Sequence, residues 1–228
     1  MSQGRPDVAA AGRQARDVAL AEYLRDVRDL PDDPEQCGLI TRYLRAVGER
    51  RPYPARDAKG APYQWCGAFW AWCWHGACTG LHEEIRHRLV QSTYRLLIFA
   101  GLVEDAGHWP YTKVRHEGIE YTTAEWLRDA PRWARKYVHG MQRSDLDSIL
   151  PGDLLTVGRG RWGQGGHIVL ALGADSGRIL TIEGNSTGPG PYGDRREGVV
   201  MHCRKPSEVR LHLRPSRRDL LHGVEYLR

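Results

Sequence analysis

Apolar positions along the chain follow a helical period in its first half and a strand period in its second. From Val18 to Leu30, Leu20, Tyr23, Leu24 and Val27 make a helical stripe that ends at a turn spanning Pro31 to Pro34. A second helix is expected from about Glu35 to Val47, where Leu39, Ile40, Tyr43, Leu44 and Val47 recur at helical spacing before Gly48. After the loop RRPYPARDAKGAP, the positions Cys66, Phe69, Trp70, Cys73, Trp74 and Ala77 fall on one face of a buried helix that begins at or near Cys66. Residues 1 to 16 show no sustained period and read as a weakly ordered arm. Between about residues 80 and 150, two helical stretches, Glu83 to Ala100 and Thr123 to Val138, flank a Gly/His/Trp/Pro loop and read as a helical insertion.

The texture changes at the turn LPGD, Leu150 to Asp153. Short apolar runs follow: Leu154 to Val157, His167 to Leu172, Ile179 to Ile182, Gly198 to Cys203 and Val209 to Leu213. Separated by GRGRWGQGG, GADSG and NSTGPGPYGD, they read as a strand meander. Helices first and strands afterwards predict an α+β architecture. The expected organisation is an N-terminal arm and helix (1–33), a main domain (34–213) carrying the insertion, and a C-terminal extension (214–228).

Composition narrows the classes. A chain of 228 residues, 41% hydrophobic, can bury a substantial core in one domain with additions. The formal charge of +5 suits approach to anionic surfaces, yet 33 basic residues are offset by 28 acidic ones, and the basic clusters are scattered. Nucleic acid is therefore not an expected partner. No apolar run approaches the roughly 20 residues that cross a bilayer, and the N-terminus lacks the apolar stretch of a signal peptide. The expectation is a chain made in the cytosol with no membrane partner. Five cysteines, an odd number without a framework spacing, leave at least one free thiol.

That thiol points to chemistry. A cysteine in the first turn of a helix sits at the helix's positive end, which favours thiolate. His167 opens the apolar strand HIVLAL after the glycine-rich turn GQGG, where Gly166 lets another segment approach closely. The next strand ends in Glu183 and Asn185, either of which can accept a hydrogen bond from the second ring nitrogen of His167; Glu183 is the first choice and Asn185 the alternative.

The segments YQWCGAFWAWCW, LPGDLLTV, GGHIVLALG and ILTIEGNS, in this order, resemble the successive motifs of the CHAP family, the cysteine, histidine-dependent amidohydrolases/peptidases. The resemblance runs from about Ile40 to about Cys203, with no placeable motif between Gly80 and Leu150. It implies a papain-like fold, with the nucleophile helix packed on a small antiparallel sheet. It also implies a cofactor-free, metal-free hydrolase of amide bonds in peptidoglycan, an N-acetylmuramoyl-L-alanine amidase or a stem or cross-bridge endopeptidase. Carried over by residue, Cys66 is the nucleophile, His167 the general base, Glu183 the third residue and Asn185 the polar residue after it. The oxyanion hole would include the Cys66 backbone N–H and a side-chain donor from Tyr63 or Gln64.

Plainer readings stand beside these. Cys66 alone reads as a buried small residue, His167 as a satisfied turn histidine and Glu183 as a solvent-facing strand end. Cys73 and Cys78, near His75, His82 and His87, lack a CxxC pair, which favours structural roles over zinc. Helical spacing puts Trp70 and Trp74 in the core and leaves Trp65 and Trp72 as the candidate substrate contacts. GRGRWGQGG lacks a GK[ST] ending and precedes a strand, so it is read as a cleft rim and not a phosphate loop. An intracellular cysteine protease or deamidase acting on a protein, and a non-catalytic wall-binding module, remain the alternative functions. Three routes stay open to a wall enzyme without a leader: phage release, specialised export with a delivery or immunity protein as partner, and a cytosolic role.

Overall fold

The computed structural model describes residues 7–46, 49–54, 64–77, 104–105, 113–116, 119–122, 143–158 and 167–214. Among the described residues three α-helices come first: α1 (Val8–Leu24), α2 (Pro34–Ala46) and α3 (Cys66–Ala77). Three short strands follow, β1 (Glu104–Asp105), β2 (Lys113–His116) and β3 (Ile119–Thr122), forming an antiparallel sheet in the order β1-β2-β3. After a 3-10 helix at Arg143–Ser148 come β4 (Leu154–Val157), β5 (His167–Asp175), β6 (Arg178–Pro189), β7 (Arg195–Arg204) and β8 (Val209–Leu213). These five make a second antiparallel sheet ordered β7-β6-β5-β4-β8, a four-strand meander with β8 added beside β4. The architecture is α+β.

Alternation along the strands sorts side chains between two layers. Leu154, Ile168, Leu170, Ile182 and Val199 share a core with the helices; α3 lies on β5 and β6, α1 packs on α3 and also reaches β5, β6 and β7, and α2 packs on α3. Leu155, Val157, Val169, Ala171, Ile179 and Val209 form a second cluster with Leu146 and Ile149.

The expectation of a weakly ordered arm is corrected from Asp7 onward, residues 1–6 lying outside the described residues: α1 starts at Val8, with the Asp7 side chain accepting the Ala9 N–H at 2.9 Å as its N-cap. Its buried stripe is Ala11, Gly12, Ala15 and Ala19. Small residues at four-residue spacing carry little hydrophobic signal but let helices approach closely. A Cβ on Gly12 would lie 2.4 Å from the Pro151 carbonyl oxygen, so α1 packs directly on the LPGD turn. That turn is a junction. The Gly152 oxygen accepts the indole N–H of Trp70 and of Trp74, at 3.2 and 2.8 Å. The fully buried Asp153 carboxylate takes the Leu150 N–H, His212 and a two-pronged contact from Arg214, fastening β8 to the start of β4.

A second correction concerns the segment read as a loop between helices, where β1, β2 and β3 pair in register, Val114 opposite Tyr121 and His116 opposite Ile119. The expected helices at Glu83 to Ala100 and Thr123 to Val138 lie outside the described residues, as does the chain beyond Arg214. β6 and β7 run longer than their apolar cores, because the polar hairpin arms 183–189 and 195–198 continue the pairing across a register shift between Glu183 and Ser186.

Candidate active site

Cys66 is the first residue of α3, where backbone N–H groups have no partner within the helix. The Phe69 N–H donates to the Trp65 oxygen and closes the first turn, and the sulfur takes hydrogen bonds from the backbone of Gly67 and Ile168. Its other partner is His167, the first residue of β5, whose ring hydrogen-bonds the thiol. His167 Nε2 lies 3.1 Å from Glu183 Oε2, an ion-pair contact in which the N–H is not aligned as a regular hydrogen bond. That contact leaves Nδ1 for the sulfur. The structure thus brings together Cys66, His167 and Glu183, from α3, β5 and β6.

Burial alone would push the Cys66 thiol up, but the hydrogen bond and charge of His167 and the two backbone contacts bring it below its ordinary range. Burial likewise opposes protonation of His167, yet its contacts with Cys66 and Glu183 raise it from 6.5 to about 9. Both shifts act in one direction: they favour moving the thiol proton onto the ring. Cys73, in the middle of the same helix, is eased only by its own backbone N–H. Burial, reinforced by the charge of Glu22, pushes its thiol well above 9.0.

Glu183 is fully buried and densely bonded. Arg204 grips it with both prongs, Nε to Oε1 at 2.7 Å and Nη2 to Oε2 at 2.6 Å, while Thr181 Oγ1 donates to Oε1 at 2.7 Å and Ser186 Oγ to Oε2 at 3.1 Å. Burial would raise this carboxyl; His167 and Arg204 hold it far below the usual carboxylate range. Arg204, Thr181 and Ser186 were not legible as site residues. The available signal was the strand period, which puts Thr181 on the same face as Glu183, and Val200, the Glu183 partner, on the same face as Arg204.

Asn185, the alternative orienter, occupies the left-handed region at φ 58 inside the β6 irregularity and donates Nδ2 to Gln64 Oε1 at 2.6 Å. With its carbonyl so engaged, the exposed Gln64 amide keeps Nε2 as a donor just ahead of the thiol. The intervening Gly184 explains the motif: a Cβ there would lie 2.6 Å from Phe69 Cβ and 2.6 Å from a Trp65 ring carbon, so glycine lets β6 touch the nucleophile helix.

Trp65 is corrected from a substrate contact to a core residue, because it is 0% exposed, stacks near Tyr43 and donates its indole N–H to Asp29 at 3.2 Å. Trp70 and Trp74 are buried, while Trp72 is partly exposed, with Arg42 over its ring. Tyr63 and Gly166 lie outside the described residues. An open cleft of about 760 Å³ adjoins the site, and its walls include His167, Asn185, Ser186, Arg204, Lys205 and Glu208.

No protein-family model, no curated protein and no solved structure matches the chain. What points to a function is therefore the geometry of the thiol, the imidazole and the buried carboxylate.

Proposed function

We propose that this protein is a papain-like cysteine hydrolase that cleaves amide bonds of peptidoglycan through a thioester acyl-enzyme. The observation that carries the hydrolase reading is His167 set between Cys66 and Glu183, with the sulfur at a helix N-terminus. A nucleophilic helix packed on an antiparallel sheet that carries the histidine supports the papain-like reading. The peptidoglycan substrate rests on the resemblance of four ordered motifs to CHAP enzymes.

In this mechanism the Cys66 thiolate attacks the amide carbonyl carbon, forming a C–S bond and an oxyanion. In this reading the Cys66 N–H, at the start of α3, and Gln64 Nε2, whose amide oxygen is taken by Asn185, donate to that oxyanion. Collapse breaks the C–N bond as the His167 imidazolium gives its proton to the departing amine. Neutral His167 then takes a proton from water, hydroxide adds to the thioester, and breaking of the C–S bond regenerates the thiolate. Glu183 faces Nε2 throughout and supports the imidazolium.

Digestion of purified peptidoglycan by the wild type and by Cys66→Ala, with products identified by mass spectrometry, tests this. The wild type is expected to release fragments with new amine and carboxyl ends, and Cys66→Ala to lose that activity by on the order of 10³-fold or more. Intact peptidoglycan alongside a rapidly alkylated Cys66 would retire the wall substrate in favour of a protein one. Equal cleavage by both proteins would retire Cys66 as nucleophile.

A further inference from the structure

Glu183 is a carboxylate with 0% exposure, and a charge so placed needs partners that stay charged. His167 is shared with the thiol and changes protonation during any acyl-transfer cycle. His202, across on β7 with Nε2 3.9 Å from Glu183 Oε2, is pushed below the ordinary histidine value because burial outweighs the pull of the carboxylate, so it is a poor counter-charge. Thr181 and Ser186 bring dipoles only. Arg204 alone among the described residues around this carboxylate is charged at every working pH, and its fork matches both oxygens. Arg204 is anchored in turn: its Nη1 lies 3.4 Å from Glu208 Oε1, and Glu208 Oε2 accepts the Lys205 N–H at 2.7 Å. Arg204, Lys205 and Glu208 line the cleft beside His167, so the guanidinium stands between the cleft and Glu183.

We propose that Arg204 is a positioning residue of the thiol site, holding Glu183 ionised and fixed at the Nε2 edge of His167 so that Nδ1 is the nitrogen offered to Cys66. The inference rests on the Cys66–His167 reading of the site and is independent of which substrate is cleaved. Without Arg204, the buried carboxyl takes up a proton at a pH where it is otherwise ionised. The imidazolium then loses its counter-charge, and the thiolate loses the imidazolium.

The test follows alkylation of Cys66 by iodoacetamide against pH, read on the Cys66 peptide by mass spectrometry. Arg204→Met and Arg204→Lys are compared in the wild-type and Glu183→Gln backgrounds. The acid limb of the profile is expected to move up by about one pH unit or more in Arg204→Met. In Arg204→Lys, which keeps the charge and loses the fork, it should move part of the way. In the Glu183→Gln background, Arg204→Met should add no further shift. Circular dichroism establishes that each variant is folded. Should Arg204→Met alone fail to fold, Arg204→Lys and the double variant, which removes both buried charges, carry the comparison. An unmoved acid limb, or a shift of equal size with and without Glu183, would overturn the proposal. A wild type that titrates as an ordinary thiol removes the site itself, which is a different result.

Discussion

Two cysteines of one helix, Cys66 and Cys73, have their thiol acidities pushed in opposite directions by their surroundings. Both are taken out of water; what sets Cys66 apart is its imidazole partner, where Cys73 has the charge of Glu22. The same reasoning fixes how the site contributes to stability. Glu183 is held far below its ordinary 4.5, so its stabilisation is fully present above that pH and is lost as the pH falls below it. In the Cys66–His167 pair the two shifts oppose one another: the raised His167 adds stability that is present below 6.5 and lost as the pH rises towards about 9, while the lowered Cys66 adds stability that grows as the pH rises towards 9.0. Glu183→Gln, which leaves Arg204 facing a neutral amide, is therefore expected to cost about 3–5 kcal/mol at neutral pH. That deficit should shrink by about 1.4 kcal/mol per pH unit below 4.5. Denaturant titrations of both proteins from pH 7 to 3 check this, and a constant gap would show that the carboxylate charge is not what the fold uses.

At the scale of elements, close approach is the recurring device. Gly184 brings β6 against Phe69 and Trp65, and Gly12 brings α1 against the LPGD turn. Gly184→Ala should cost about 1–3 kcal/mol through the clash. Because β6 also carries Glu183, it should slow Cys66 alkylation as well, whereas a stability loss with an unchanged alkylation rate would separate the packing from the site. These contacts also mark what the sequence could reveal. α2, α3 and the five strands were legible because large apolar residues recur at periods of 3.6 and 2. Cys66, His167 and Glu183 stood out because each sits at the end of such a run. α1 was missed over its first ten residues because its buried stripe is alanine and glycine, and β1 to β3 because strands of two to four residues leave too short a pattern. Arg204 was missed because its meaning lies across the strand register and not along the chain.

For the whole molecule, the central feature is a division of labour between the halves of the chain. The helical half contributes the thiol and the sheet half the imidazole and carboxylate, with Cys66 and His167 separated by 167 − 66 = 101 positions. They meet because α3 lies on β5 and β6, so the reactivity of Cys66 reports whether the halves are docked. The most direct measurement is the pH dependence of Cys66 alkylation in the folded wild type and in His167→Ala, read on the Cys66 peptide to exclude the other thiols. The wild type should react as a thiolate below the ordinary thiol value of 9.0, and His167→Ala should move the midpoint back towards or past it. A wild type that titrates at the ordinary value, with no change on loss of His167, would contradict the account.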